Sequence, residues 1–534
     1  MPTRLLLKKA LRAYATGEIR QAITLYKNII TSDPYNIQAL AHLGVALASR
    51  NDYAKALPLF QTASLLEGTP TTLIQSGMCL HKLNRNDEAL SYFKRALQYA
   101  PHSFDANMQA SKALTAQQQL EKAEIYAKKA VSLQPDAILG LMNLGTVYNE
   151  QGKLNQALSC YKKVLTLQPS CASALYNCGY TLKLAGKMRQ ALPYLKKALE
   201  VRSNHVDTHI ALSHAYWSLG DFENAWREYD KRWQRFKKDP RPMSIPLWDG
   251  KADLAGKQIL LYCEQGMGDT LQFIRFAECI KKRGAYITCK IQKPLQDLLA
   301  SYPYVDHFVT EWPSHQKLRA FDYQAPLMSM PGLLYMTPET LPQKTPYLFI
   351  NDALVEKWHK KINSDTKFRV GLCWHVDPIH ETEKSPLSKR SLSVDHFAPL
   401  NTVPSPRGIS FYSLQKINDT QMLETLPADF SFELASFDPH FDKTHGRFMD
   451  TAALIKNLDL VITVDTSICH LAAALGKETW VLLPYAPNCR FSVRRTDMPW
   501  YPTMRLFRQK QPFDWHAVID EVRSALTKKC GDKK

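Results

Sequence analysis

Asp465, Thr466, Ser467 and His470 fall within six consecutive residues, between two apolar runs, Leu460 to Val464 and Thr479 to Leu483. The β-branched residues of both runs predict buried strands. The Ala- and Leu-rich SICHLAAALG between them, closed by Gly476, predicts a crossover helix. Two strands joined this way lie parallel, and ligands of open parallel sheets sit beyond the carboxyl ends of the strands. Thr466 or Ser467 can N-cap the helix, so the free N–H groups of its first turn face whatever anion docks there. A phosphate is the expected guest. Asp465 would be repelled by a diphosphate, so it orients the turn or touches a sugar or an acceptor. His470, one turn into the helix, is either a packing histidine or a phosphate contact.

A second group lies in EQGMGDT, directly after the apolar run QILLYC. Asp269 stands between a strand and a helix, where it can N-cap a helix beginning near Thr270, take a proton from a substrate, or do both. Glu264 is the neighbouring carboxylate and an alternative, weaker base. Gly266 and Gly268 permit close backbone approach to a ligand, and the missing GK[ST] rules against a P-loop.

Composition narrows the remaining choices. The 534 residues carry a net charge of +18. Residues 1–240 hold 31 Lys and Arg against 18 Asp and Glu, so most of the excess is N-terminal. That is either a solvated basic face or a surface that recruits an acidic protein; no basic-aromatic motif points to nucleic acid. The eleven Cys are odd in number and include no CxxC. Several (Cys79, Cys178, Cys263, Cys289, Cys373) fall inside apolar patterns and read as reduced packing residues. No apolar run approaches a membrane span and no export signal opens the chain, so a cytoplasmic protein is expected.

The elements that position these groups are of two kinds. Up to about residue 240 the chain repeats at a period of 34: Ala22, Ala56, Ala89, Ala123, Ala157, Ala191 and Ala225. A second small-residue series runs Gly44, Gly77, Ser111, Gly145, Gly179 and Ser213, and Tyr26, Phe60, Phe93, Tyr161, Leu195 and Tyr229 follow the alanines by four. Gly17, Gly152, Gly186 and Gly220 mark the turn inside each repeat. Beyond Pro240, Pro242 and Pro246, strands alternate with helices. One series starts at QILLYC and a second at FRVGLCW, with the proline-rich LPQKTPYLFI between them.

The 34-residue pattern matches the tetratricopeptide repeat, helix pairs that bury their apolar faces only by stacking. EQGMGDTLQF, RVGLCWHVDP and the stretch from Asp450 to Pro484 resemble the glycosyltransferase domain of bacterial tetratricopeptide proteins, itself similar to the lipopolysaccharide heptosyltransferases. The layout also resembles the O-linked N-acetylglucosamine transferases and the repeat-bearing flagellin glycosyltransferases. The resemblance implies an all-α superhelix over residues 1–236, then a GT-B pair of Rossmann-like domains: an acceptor-side domain at 237–345 and a nucleotide-sugar-binding domain at 346–534.

The same resemblance assigns roles. Asp269 matches the proposed general base. Gly268, Asp465, Thr466, Ser467 and His470 lie beside the donor diphosphate, and Lys384, Lys389 and Arg390 stand where the family places cationic phosphate contacts; a solvated loop is the alternative for the run KSPLSKRS. Arg490, Arg494 and Arg495 are a second basic group, either phosphate clamps or a surface face, and Gln415 is placed for a base or ribose contact. Asn107, Asn143 and Asn177 recur on first helices of repeats, where the family can grip a ligand backbone; capping or solvent-facing roles are the alternative. No D-x-D triplet is present, so metal-free chemistry is expected, with no cofactor beyond the nucleotide-sugar substrate. His375, Val376 and Asp377 after the Trp depart from the relatives' Asn-rich loop. The expected activity is sugar transfer to a hydroxyl of a protein captured by the repeat groove. A non-catalytic adaptor and an envelope-glycan transferase are the rival readings.

Overall fold

The computed structural model describes residues 3–235, 242, 244–362, 366–376, 385–415, 434–435, 437, 440–491 and 495–531. They form two compact units, Met1–Thr181 and Leu182–Lys534.

The first unit is a stack of helices joined by short turns, from Thr3–Ala15 and Ile19–Ser32 through Leu154–Leu167. The same period carries on in the second unit through Met188–Val201, Val206–Leu219 and Phe222–Tyr229. All seven alanines of the register are fully buried. The glycine and aromatic series meet each other: a Cβ added to Gly44 would lie 2.7 Å from the Phe60 ring, and one added to Gly145 would lie 2.5 Å from Tyr161. Glycine is therefore fixed by the ring that fills its place. The turn inside each repeat needs a left-handed residue, met by Gly17, Gly152, Gly186 and Gly220. Asn51, Asn84 and Gln118 take the same conformation in the other repeats (φ +63°, +61° and +59°), which the glycine spacing alone does not reveal.

In the second unit, β1 (Gln258–Tyr262), β2 (Tyr286–Lys290), β3 (His307–Val309) and β4 (Tyr323–Pro326) form a parallel sheet of order β3-β2-β1-β4. A seven-stranded sheet contains β5 (Phe368–Cys373), β6 (Ile409–Ser413), β7 (Leu434–Ala435), β8 (Leu460–Val464), β9 (Thr479–Leu483), β10 (Asp497–Met498) and β11 (Tyr501–Arg508). Its order is β10-β11-β9-β8-β5-β6-β7, parallel except for β10 against β11. β8 and β9 coincide with the two apolar runs of the sequence, with helix Ser467–Ala474 between them. The helical stretch after Asp269 breaks into Met267–Phe273 and Phe276–Lys281, and SVDHFAPL winds into a 3-10 helix, Val394–Thr402.

The last repeat helices pack into this second unit. Trp217 stacks on Trp500 (6.0 Å between ring centres, 11° between planes) and meets Trp226 edge-on. A Cβ on Gly332 would come 2.8 Å from Trp226 Cβ, so this glycine admits the repeat helix against the segment after β4.

Candidate functional site

The chain order reverses beside β1 in the first sheet and between β5 and β8 in the second, the places where parallel sheets open a crevice. Asp269 follows β1. It is the third residue of helix Met267–Phe273, whose N-cap is Gly266, so it does not N-cap a helix starting near Thr270. Its Oδ2 instead accepts the Gly266 N–H at 3.0 Å. Its Oδ1 accepts from Arg490 Nη1 at 2.6 Å, and the same guanidinium donates to Gln272 Oε1 at 2.8 Å. Both charged side chains are about 15% exposed. Gln272 is wholly buried, and its Nε2 has no partner among the described residues.

Asp465 directly follows β8 and is almost wholly buried. Burial pushes its carboxyl up, while Arg390 and Arg490 pull it down. Arg390 Nη1 donates to the Asp465 backbone oxygen at 3.0 Å and lies 3.6 Å from its carboxylate. Thr466 caps helix Ser467–Ala474, its hydroxyl accepting from the Ile468 N–H. Thr466 and Ser467 remain partly exposed. Two carboxylates and two guanidiniums thus meet around two helix N-termini.

Gly268 faces protein in place of open space: a Cβ there would lie 2.9 Å from His470 Cδ2 and 3.3 Å from Ser467 Cα. The backbone approach it permits is between helices Met267–Phe273 and Ser467–Ala474. His470 is buried, 3.3 Å from the Tyr501 hydroxyl and packed on Phe491. Burial, reinforced by nearby Arg490, holds its imidazole well below the usual range, so it is neutral. Asp465, Cys469 and His470 bring three potential metal-ligating atoms within 4.8 Å of one another. Burial holds the Cys469 thiol protonated, and the carboxylate already has two guanidinium neighbours, a setting that disfavours a cation.

Three other sequence expectations change with the geometry. Gln415 clamps backbone: its Oε1 accepts from the Trp374 and His375 N–H groups, and its Nε2 donates to the His375 oxygen. With both ends so engaged and 6% exposure, it is a loop fastener and not a base or ribose contact. Glu264 is held by both prongs of Arg232, so it is not a spare base. Asn107 is completely buried, donating to the Ser103 oxygen, and Asn143 donates to Ser111 Oγ between neighbouring repeats. Both lie inside the stack, out of reach of a groove ligand; Asn177 is partly exposed. Lys389 is exposed, Arg495 pairs with Asp497, and Lys384 and Arg494 lie outside the described residues.

Some participants were invisible in the sequence. Arg275 is buried, donating to the Pro342 and Trp500 oxygens and lying over the Tyr347 and Tyr501 rings. Tyr229, from the last repeat, accepts from Gln265 Nε2 at 2.9 Å. A charged residue among aromatics was the signal available, but nothing local named its partners.

Three tetratricopeptide repeat profiles match residues 7–65, 80–145 and 136–204. The N-terminal region is built of tetratricopeptide repeats. Residues 444–488, which hold β8, helix Ser467–Ala474 and β9, match glycosyltransferase family 9 (heptosyltransferase). Protein FlbA of Caulobacter vibrioides (strain ATCC 19089 / CIP 103742 / CB 15) is 24% identical over 327 residues, covering 58% of this chain. The match spans 53% of FlbA's length. Solved structures similar to the tetratricopeptide repeats include YrrB, a TPR protein with an unusual peptide-binding site (23% identity, 34% of this chain and 95% of YrrB, TM-score 0.29). A tetratricopeptide repeat protein from Parabacteroides merdae ATCC 43184 is another (14% identity, 45% and 94% covered, TM-score 0.39).

Proposed function

We propose that the chain is a GT-B glycosyltransferase that moves a sugar from a nucleotide-sugar to a hydroxyl of a protein acceptor engaged by the tetratricopeptide repeats. The observation that carries this reading is the meeting of Asp269 with Arg490, and of Arg390 with Asp465, where two parallel sheets present the carboxyl ends of β1 and β8. The donor diphosphate takes Arg490 and Arg390 as counter-ions, aided by the exposed first turn of helix Ser467–Ala474. As phosphate draws Arg490 away, Asp269 is released to accept the proton of the acceptor hydroxyl. That oxygen attacks the anomeric carbon, the bond to phosphate breaks with its electron pair, and the nucleoside diphosphate leaves. A single displacement of this kind inverts the anomeric centre, with arginine supplying the charge that a metal supplies elsewhere.

The family 9 match over the donor-side βαβ unit supports the reaction class. The test is calorimetry of the purified protein against UDP, ADP, GDP, CMP and their sugar conjugates, with and without EDTA. Micromolar, EDTA-insensitive binding that weakens at least ~10-fold in Arg490→Ala is the expected result. Absence of binding by any nucleotide overturns the reading.

A further inference from the structure

His470 stands at the end of a chain of hydroxyls whose direction the structure fixes. The far end is the Leu271 carbonyl, near the end of helix Met267–Phe273, which can only accept. Tyr347 donates to it at 2.8 Å, which uses its one hydroxyl proton, so the Tyr347 oxygen accepts from Tyr501, 3.1 Å away. Tyr501 then has no second proton for His470. Its oxygen accepts instead from His470 Nδ1, at 3.3 Å. No neighbour reverses this order: burial keeps the Tyr501 phenol protonated, and the Arg275 guanidinium over the two tyrosine rings, at 4.3 and 4.5 Å, can only donate.

The buried imidazole is neutral, so a proton on Nδ1 leaves a lone pair on Nε2. That nitrogen has no hydrogen-bond partner among the described residues, yet it is not sealed from solvent as Gln272 Nε2 is. Its side of the ring is turned to the start of helix Met267–Phe273: Cδ2, bonded to Nε2, is the atom that a Cβ on Gly268 would meet at 2.9 Å. Asp269 is the next residue. The lone pair therefore opens between the turn that carries Asp269 and the first turn of helix Ser467–Ala474. The diphosphate of a nucleotide-sugar carries no proton to give at neutral pH, and its oxygens are repelled by a lone pair. A hydroxyl donates to one.

We propose that His470 is a hydroxyl-recognising residue of the donor site, presenting Nε2 as an acceptor, and that Tyr501 and Tyr347 are positioning residues that fix this tautomer. The hydroxyl belongs to the transferred sugar or to the ribose of the nucleotide. The identity of the ligand rests on the transferase reading; the tautomer does not.

Long-range proton–nitrogen correlation spectra of the full-length protein, labelled at its histidine nitrogens, show which ring nitrogen carries the proton. His470→Gln identifies the signal among the 16 histidines. The natural chain gives the Nδ1–H form. Tyr347→Phe takes away the acceptor of the Tyr501 proton, which turns to Nδ1, so the proton of His470 moves to Nε2. Tyr501→Phe removes the acceptor of the Nδ1 proton and shifts the tautomer the same way, and melting curves confirm that both variants are folded. Loosened packing alone would not exchange the two nitrogens. An Nε2–H form in the natural chain, or Tyr347→Phe spectra like those of the natural chain, overturn the relay. Calorimetry on the same proteins with inorganic pyrophosphate, UDP, ADP, GDP, CMP and their sugar conjugates reads the ligand. Inverting the tautomer weakens the bound nucleotide-sugar by about tenfold and does not weaken pyrophosphate. A sugar hydroxyl is lost from the conjugate alone, and a ribose hydroxyl from the free nucleotide equally. Pyrophosphate weakened in parallel, or affinities that do not change, overturn the hydroxyl assignment while the transferase reading stands. Failure of every nucleotide to bind sinks that reading and the hydroxyl assignment together, and the spectra still decide the relay.

Discussion

Arg232 grips Glu264 with both prongs of its guanidinium, Nε to Oε2 at 2.8 Å and Nη2 to Oε1 at 2.7 Å, and both side chains are less than a tenth exposed. Arg232 comes from the tail of the last repeat and Glu264 from the turn two residues beyond β1, five residues before Asp269. The same guanidinium donates to Ser329 Oγ and Asp230, and lies over the Tyr229 and Trp233 rings. Next to it, Tyr229 accepts from Gln265, the Gln265 oxygen accepts from Gln292, and Gln292 accepts from Thr270. The turn that carries Asp269 is thereby fastened to a repeat.

Arg232→Met leaves a buried carboxylate without its counter-ion, and a loss of about 3–5 kcal/mol in unfolding free energy is expected. The loss depends on pH. Burial already raises the Glu264 carboxyl above its usual value against the pull of Arg232, and without Arg232 it rises further. A raised folded-state value stabilises below the unfolded value, and that stabilisation is lost as pH climbs through the folded one. Urea titrations should show a gap between natural chain and variant that is wider at pH 8 than at pH 5; an equal gap at both refutes the account.

Truncation tests the same connection on a larger scale. A chain starting at residue 237 lacks Arg232, Tyr229 and the Trp217 that stacks on Trp500. It should be insoluble or melt without cooperativity, whereas a chain starting at residue 172, which keeps the repeat helices of the second unit, should melt as one transition. Cooperative melting of the shorter chain would show that the repeats are a dispensable appendage.

Asp269→Asn keeps the shape of the helix start but cannot take a proton. Turnover should fall by about 10²–10⁴-fold while nucleotide affinity stays within a few-fold of the natural value, or improves as Arg490 is freed. Turnover that survives the change removes Asp269 from the base role.

Within the repeats, Gly145→Ala forces a methyl against the Tyr161 ring and should cost about 1–3 kcal/mol. Gly186→Ala meets no atom within 4 Å but holds alanine at φ +69°, at about 1–2 kcal/mol. Gly186→Asn should recover part of that loss, because Asn51 and Asn84 already occupy the equivalent turn. Chemical denaturation of the three variants checks the order.

Gln415→Ala should lower the melting temperature and leave the ranking of nucleotide bases unchanged, since both ends of its amide are bound to the backbone of residues 374 and 375. A switch in base preference would restore it to the ligand.

The sequence by itself determined what depends on near neighbours. The 34-residue period specified the repeats because each helix pair must bury the same alanine and the same ring against the next pair. The crossover unit from Leu460 to Leu483 was legible, both strands to the residue and the helix to within two residues of its end, because a five-residue apolar strand, a capped helix and a second strand are each local signals. Pairings over long separations were decided only by the tertiary structure. Nothing near Arg490 names Asp269, 221 residues away, and nothing near Glu264 announces Arg232. Gly268 looked open to a ligand because sequence shows a missing side chain but not the helix that fills its place. A charged or polar side chain satisfies itself with whichever group the fold brings within about 3 Å, and that distance is a property of the packed chain.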